Sequence, residues 1–274
     1  MLQKKMIKKR QLLNKKDILK ILSEELKESL KELTIFEEIG STNDEAKTKL
    51  AEIKNFNDSL AIFAEQQTSG RGRSGKTWES PAKVNIYVSY GWYSSLKLPD
   101  LEGLSLASGV EISNHLDPII GESVKIKWPN DLFLSEKKMG GILVETSSNK
   151  KGTSIVIGVG LNVLMSDKKE NSIDQDWTSL SIHFGKDYDR NEIAGLMLEA
   201  LFHLKNNFES NGFSHYKDRF EELNLLKNKE CLATLKDLSL KGLVEGISEN
   251  GELIFNENGK IHRLRYGDVS IRKI

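Results

Sequence analysis

Leucines recur at helical spacing near the start of the chain. Between Lys16 and Leu33 they stand three or four positions apart, with Glu and Lys between them, which predicts one amphipathic helix. A strand is predicted next from "ELTIFEEIG", followed by a helix from "STNDEAKTKLAEIKN". Thr42 and Glu45 match a capping box at the start of that helix. The chain therefore begins as a mixture of helices and strands.

Strands dominate the middle of the chain. Several of them are joined by connections too short for a crossover helix, so we expect a mixed sheet and not a doubly wound one. A helix with small residues, "LEGLSLASGVEISNHL", interrupts the strands, and the polar stretch "SDKKENSIDQDWTS" is expected to be a long surface loop. The predicted strands are "SLAIFAEQQ", "VNIYVSYGW", "SVKIKWP", "LFL", "GGILVETSS" and "TSIVIGVGLNVLM".

The pattern changes again towards the C-terminus. A helical spacing extends from Arg190 to about Leu225, and short strands separated by turn residues follow it, which is typical of a small β-barrel. We therefore expect three parts. They are a basic, amphipathic helical N-terminal segment (1–32), a main domain (33–226) and a C-terminal β-barrel (227–274).

Composition narrows the classes of partner. Lys plus Arg and Asp plus Glu both number 40, so no net charge draws the protein towards nucleic acid or a membrane. The single cysteine, Cys231, excludes an internal disulfide and a multi-cysteine metal site, and it favours a cytoplasmic location. The apolar runs are shorter than the ~20 residues of a membrane span. The basic run from Lys4 to Lys20 has no apolar core of a signal peptide, and we interpret it as a solvated tail.

The stretch "GRGRSGKT", from Gly70 to Thr77, matches the GxxxxGK[ST] pattern of phosphate-binding loops. Such a loop needs a helix directly after it, because the N-terminus of the helix binds the phosphates. Here "WESPAK" and a strand pattern follow instead. We therefore expect a basic, glycine-rich loop between two strands, in which Arg71, Arg73 and Lys76 can contact an anion.

Four further motifs place polar residues at the ends of predicted elements, and each has a structural explanation as well as a functional one. "GSTN" matches simple helix capping, and "KWPND" matches a solvated turn. "KKMGGILVE" can mark a β-bulge, and "GVGLN" can be turn chemistry. Each signal is weak alone, but together, in this order around one sheet, they indicate one binding site.

The joint pattern resembles the biotin protein ligases, from about Leu33 to the C-terminus. The resemblance covers "GSTNDEA", "AEQQTSGRGRSGKTWESP", "KWPNDLFL", "KKMGGILVE", "IGVGLNV" and "GLVEGISENGELIF". It implies an α+β fold, in which a mixed-sheet catalytic domain like that of class II aminoacyl-tRNA synthetases precedes an SH3-like barrel. It also implies an enzyme that activates biotin with ATP as biotinyl-5'-AMP and transfers it to a lysine of a biotin carboxyl carrier protein.

The resemblance also implies roles for residues of the motifs. Arg73 and Lys138 are the expected catalytic residues, and Mg²⁺ is expected on the ATP phosphates with no metal ligands assigned. The expected biotin-binding residues are Ser41, Thr42, Asn43, Gln67, Gly70, Arg71, Gly72, Arg73, Lys138, Gly140 and Gly141. The residues expected at ATP or the adenylate are Arg71, Arg73, Trp78, Asn130, Asp131, Asn162 and Trp177.

Two features depart from the family pattern. Lys76 stands where many relatives have Arg, so the point charge of an ammonium replaces a guanidinium that can donate two parallel hydrogen bonds. Relatives that repress transcription carry a winged-helix domain before the ligase core, whereas only residues 1–32 precede it here. We therefore expect a monofunctional ligase without a nucleic-acid or membrane partner, and a homodimer stays open. The alternatives are a lipoate-type ligase, a biotin-responsive DNA-binding regulator and a non-catalytic binding module.

Overall fold

The computed structural model describes residues 11–166, 176–235, 238–265 and 269–274. No helix in these ranges is long and apolar enough to cross a membrane. The helices are α1 (Lys15–Ile21), α2 (Glu24–Ser29), α3 (Thr42–Glu52), α4 (Leu104–Ile120), α5 (Leu180–Phe184), α6 (Arg190–Asn211) and α7 (Lys217–Leu223). The strands are β1 (Leu30–Phe36), β2 (Ser59–Ala64), β3 (Ile86–Ser94), β4 (Lys125–Lys127), β5 (Asp131–Leu134), β6 (Lys137–Asn149), β7 (Gly152–Leu161), β8 (Glu230–Leu235), β9 (Leu238–Ile247), β10 (Leu253–Glu257), β11 (Lys260–Leu264) and β12 (Val269–Lys273).

A seven-stranded mixed sheet, in the order β1-β2-β3-β7-β6-β5-β4, forms the main body. Only β1 and β2 pair in parallel among the described strands. Leu60 and Ile62 of β2 pack with α3, whereas Ala61 and Phe63 join the larger core that contains residues of α4 and α6. Because successive residues of a strand point to opposite faces, α3 and the α4–α6 layer cover opposite faces of the sheet.

A second, antiparallel sheet of five strands, in the order β11-β10-β9-β8-β12, follows the helices. It is attached near β4, since the Trp128 indole donates to the Gly251 carbonyl at 3.1 Å. The Leu225 N–H also donates to the Ile126 carbonyl at 2.9 Å. The predicted fold class is confirmed: a mixed-sheet α+β domain precedes a small antiparallel β structure. The boundaries at residues 32/33 and 226/227 stay predictions.

The predicted helix between Lys16 and Leu33 is wrong as a single element. α1 ends at Ile21, and the chain restarts as α2 because the Ser23 hydroxyl accepts the Leu26 N–H at 3.3 Å. The backbone N–H of Ser23 donates to Glu199 of α6, which fixes the break in place. Leu13 and Ile18 are buried, so the described part of the basic N-terminal run packs into the core and is not a solvated tail.

One local prediction fails, and a second is wrong only for its described end. Ser41, not Thr42, precedes α3, and its side chain makes no capping hydrogen bond. Thr42 is the first helical residue, and its hydroxyl lies 3.1 Å from the Gln67 side-chain oxygen. The polar stretch after β7 lies largely outside the described residues, but its end, from Trp177 to Ser179, is buried and leads into α5. In both cases a long-range contact replaces the predicted local role.

A buried ion pair joins four distant parts of the chain. Arg190 of α6 lies 2.6 Å from the Glu65 carboxylate, and their side chains are 1% and 4% exposed. Glu65 also accepts the Leu13 N–H at 2.6 Å, and Arg190 donates to the Asn85 carbonyl at 2.8 Å. The pair therefore holds the N-terminal segment, the end of β2, the residue before β3 and the start of α6 together.

We expect Arg190→Met to lower the free energy of unfolding by about 3–5 kcal/mol, because it leaves the Glu65 carboxylate buried without its cation. Asp17→Asn, which removes an exposed Lys20–Asp17 pair, is the matched control and is expected to cost less than about 1 kcal/mol. Urea unfolding of the three proteins measures both changes. Similar small losses in the two variants would contradict the structural role of the buried pair.

Candidate active site

A cleft of about 1150 Å³ opens on the α3 face of the mixed sheet. Its lining comes from the start of α3, the glycine-rich loop, the turn between β4 and β5, strands β6 and β7, and β12 of the second sheet. Motifs that are far apart in the sequence therefore face one space.

The floor of the cleft has no side chains at several strand positions. A Cβ at Gly160 would overlap the Trp78 ring, and a Cβ at Gly158 would overlap the Asn43 side chain. At Gly141 a Cβ would lie 3.1 Å from the Trp78 ring. The Trp78 ring therefore lies directly on the backbone of β6 and β7. Its indole N–H is buried and has no hydrogen-bond partner among the described residues.

A polar network forms the end of the cleft nearest α3. The Gln67 side-chain oxygen accepts the Thr42 N–H at 2.9 Å, and its amide nitrogen donates to the Ser80 hydroxyl at 3.2 Å. The buried Ser89 hydroxyl lies 2.8 Å from the Thr42 hydroxyl and 2.5 Å from the Asn43 side-chain oxygen. These bonds fix the orientation of each amide and hydroxyl.

A backbone hydrogen bond joins the two ends of the glycine-rich loop, and an ion pair joins the loop to α3. The Trp78 N–H donates to the Gly70 carbonyl at 2.9 Å, and no helix follows Thr77, which rules out the phosphate-binding-loop interpretation. Arg71 donates to both carboxylate oxygens of Asp44, at 2.5 and 2.7 Å. Those bonds, with help from a neighbouring lysine, hold the pKa of Asp44 well below its usual range. Arg71 is therefore anchored to α3 by a matched charge.

Cations from two segments lie on the opposite side of the cleft. The Arg73 guanidinium lies 3.4 Å from the Asn130 side-chain oxygen, across the cleft from its loop. The Lys138 ammonium lies 2.8 Å from the Asp131 carboxylate and 5.4 Å from the centre of the Trp78 ring. The carboxylate and the ring hold the ammonium at the cleft wall, where it can attract an anion.

Residues 176–178 lie along β6 at this wall. The Lys138 N–H donates to the Asp176 carbonyl at 3.1 Å, and the Thr178 N–H donates to the Lys138 carbonyl at 2.9 Å. The Asn162 amide donates to the Thr178 carbonyl at 3.1 Å and accepts from Asn85 at 3.2 Å. Asn162 therefore anchors the segment that carries Trp177, which is 5% exposed.

The structure brings most of the predicted site residues together, but two glycines lie outside the lining. Gly140 is buried in β6, where a Cβ would lie 2.8 Å from the Gly160 carbonyl oxygen. Gly70 is buried beneath the loop, where a Cβ would lie 2.6 Å from the Trp78 carbonyl oxygen. Both allow close packing behind the cleft. The predicted residues that line the cleft are Ser41, Thr42, Asn43, Gln67, Arg71, Gly72, Arg73, Trp78, Asn130, Asp131, Lys138, Gly141, Asn162 and Trp177.

The lining also contains residues that the sequence did not assign to the site. Lys127 stands in the "KWPND" motif, and its burial lowers its pKa while the Asp131 charge opposes that shift. Residues Val269 to Arg272 of β12 also line the cleft. The alternation of apolar and polar residues in this strand does not indicate that it lies at the cleft.

Comparisons with known proteins agree with this geometry. The biotin/lipoate A/B protein ligase family model matches residues 35–162. The bifunctional ligase/repressor BirA of Escherichia coli strain K12 is 34% identical over 235 residues, a match that covers 85% of this chain and 72% of BirA. The biotin–[acetyl-CoA-carboxylase] ligase of Paracoccus denitrificans is 27% identical, with 78% of this chain and 90% of that protein covered.

Among solved structures, the biotin protein ligase from Aquifex aeolicus in complex with biotin and ATP is similar. Its TM-score is 0.75 at 29% sequence identity, and the match covers 89% of this chain and 100% of that one. The fold, the cleft and these relatives agree with one another. The chain therefore belongs to the biotin protein ligase family.

Proposed function

We propose that the cleft joins biotin to ATP as biotinyl-5'-AMP and then transfers the biotinyl group to a lysine of a biotin carboxyl carrier domain. The observation that carries this proposal is the convergence of three features in one cleft. They are a fixed polar end, a floor without side chains beneath Trp78, and a wall with Arg73, Lys127 and Lys138. The Aquifex relative, which was solved with biotin and ATP, supports the same pair of substrates.

The polar end suits the ureido ring of biotin, which has two N–H donors and one carbonyl acceptor. Hydroxyls and amides from Thr42, Asn43 and Gln67 can meet those groups without rearrangement, because their network already fixes them, and Ser41 lines the cleft beside them. The apolar body of biotin would lie beside the Trp78 ring over the glycine floor. A ligand oxygen could accept the indole N–H of Trp78.

The cationic wall suits the activation step. A biotin carboxylate oxygen attacks the α-phosphorus of ATP, a new P–O bond forms, and the bond to the bridging oxygen breaks as pyrophosphate leaves. Both reactants are anions, so their approach needs positive charge around the phosphorus. We assign that role to Lys138 and Arg73, with the adenosine placed against the segment of Trp177 and Asn162.

The transfer step needs a neutral amine. The carrier lysine attacks the carbonyl carbon of the adenylate, the amide C–N bond forms, AMP leaves and the amine loses a proton. Arg272 and its neighbours in β12 stand at the rim of the cleft, so we place the approach of the carrier there.

The residues of the cleft also fit Mg²⁺ carried by the ATP phosphates. Among the described residues, the one group of three or more His, Cys, Asp or Glu able to hold a metal lies in the α4–α6 layer. The cleft therefore has no protein cage of this kind in the described chain, and Mg²⁺ typically keeps waters and phosphate ligands with one or two protein oxygens. The Asp131 and Asn130 oxygens can supply these, and the ion would neutralise phosphate charge.

We expect biotin-dependent exchange of labelled pyrophosphate into ATP in the absence of any acceptor, because adenylate formation is reversible and precedes transfer. The same assay with lipoate in place of biotin is the control. Exchange with lipoate but not with biotin, in a folded sample, would reject the proposed substrate.

The predictions of a cytoplasmic location and of no nucleic-acid partner stay predictions.

Lys138→Ala is expected to slow adenylate formation by about 10²–10³-fold, since one electrostatic stabiliser of the transition state is lost. The change also leaves the Asp131 carboxylate facing the phosphates without its cation. Lys137→Ala is the matched control, because Lys137 is the exposed neighbour on the same strand. Single-turnover adenylate formation at saturating biotin and ATP measures both rates. If Lys138→Ala stayed within about threefold of the parent, as Lys137→Ala should, Lys138 would have no catalytic role.

A further inference from the structure

Two glutamate–histidine pairs face each other where α4 packs on α6. Glu111 and His115 stand one turn apart on α4, and Glu199 and His203 stand one turn apart on α6. The His115 and His203 ring centres are 5.0 Å apart. One ligand atom each from Glu111, His115 and His203 lie within 4.8 Å of one another. This layer covers the sheet face opposite the cleft, so the cluster is separate from the proposed active site.

The orientation of His115 leaves a nitrogen for a metal. Its Nδ1 lies 2.9 Å from the Glu111 main-chain carbonyl oxygen, which can only accept, so Nδ1 carries the proton. In the neutral ring, Nε2 then holds the lone pair. A backbone carbonyl that accepts the other ring N–H is a common support of histidine ligands to metals.

The Glu111 carboxylate is held in the same way. It is 6% exposed, and its Oε1 lies 3.1 Å from the Tyr216 hydroxyl and 3.4 Å from the Asn207 amide. Because an ionised carboxylate oxygen only accepts, the Tyr216 hydroxyl donates its proton to Oε1. The other oxygen, Oε2, lies on the side of His115, 3.7 Å from its Nδ1. One carboxylate oxygen is fixed by two donors, and the second lies beside the edge of the His115 ring that carries Nδ1.

The ligand atoms must move closer together to hold an ion. Ligand atoms at 2.0–2.1 Å from a tetrahedral zinc are about 3.3 Å apart. The His203 side chain is 52% exposed, so it can rotate to shorten the present separations. Glu199 Oε2 lies 3.9 Å from His203 Nε2 and adds negative charge beside the site.

We propose that Glu111, His115 and His203 bind a divalent transition-metal ion such as Zn²⁺, with water as the fourth ligand. Two imidazoles and one carboxylate suit this class of ion, whereas Mg²⁺ and Ca²⁺ prefer oxygen ligands. The bound ion would join α4 to α6 and stabilise the helical layer behind the sheet.

The test uses the full chain, stripped of metal with EDTA and dialysed, with ZnCl₂ as the probe and no nucleotide present. We expect calorimetry to give one Zn²⁺ per chain and thermal unfolding to shift upwards with added Zn²⁺. The His203→Gln variant and the His115→Gln variant should each bind Zn²⁺ at least about tenfold more weakly. Even the replacement of a residue that only hydrogen-bonds to a metal ligand typically lowers metal affinity by 10–100-fold. His183→Gln is the matched control, since His183 pairs with Glu122 at 2.8 Å and is not part of the three-residue cluster.

Each outcome decides the proposal. Loss of the Zn²⁺ response in the two ligand variants, with a parent-like response in His183→Gln, supports it. An equal Zn²⁺ response in all four proteins, or no saturable binding by the parent, overturns it. Circular dichroism of each variant without metal shows whether a lost response reflects misfolding. If one ligand variant fails to fold, the other carries the test.

Discussion

The contact between the Trp78 ring and the bare backbone of β6 and β7 determines the shape of the cleft. Residues of β7 alternate, so that Ile157, Val159 and Leu161 pack into the core while Gly158 and Gly160 face the cleft. A side chain at Gly160 would displace the Trp78 ring. The glycine-rich loop would move with that ring, because the Trp78 backbone closes it. The position of the cationic loop therefore depends on the absence of Cβ atoms in the sheet.

Matched charges complete this arrangement. Arg71 is held by Asp44 and lies 3.5 Å from Glu145, while Lys138 is held by Asp131. Both cations are thus held in position by their ion pairs, which is the preorganisation that the proposed function requires of Lys138. The buried Asn85–Asn162 bond positions the segment beside Lys138 in the same manner. The site is supported by groups that need never touch a substrate.

The residues of the cleft could be predicted largely from the sequence, because short motifs mark strand ends and tight approaches. "GRGRSGKT" and "KWPND" are local patterns, and both lie at the cleft. The failures involve partners that are distant in the sequence. Glu199 accepts the Ser23 N–H at the break between α1 and α2, and the Gln67 side-chain oxygen accepts the Thr42 hydroxyl. Neither contact has a signature in the local sequence. Gly140 and Gly70 lie behind the cleft lining, and a glycine pattern alone cannot distinguish ligand approach from tight packing.

The central claim is that this cleft attaches biotin to a carrier lysine. The most direct measurement is the intact mass of an apo carboxyl-carrier domain. The domain is first incubated with the protein, biotin and Mg-ATP. The account predicts a mass increase of one biotinyl group, which requires both biotin and ATP and disappears when the carrier's target lysine is replaced. A carrier that gains no biotinyl group from a folded, ATP-binding sample, or that gains a lipoyl group instead, would contradict it.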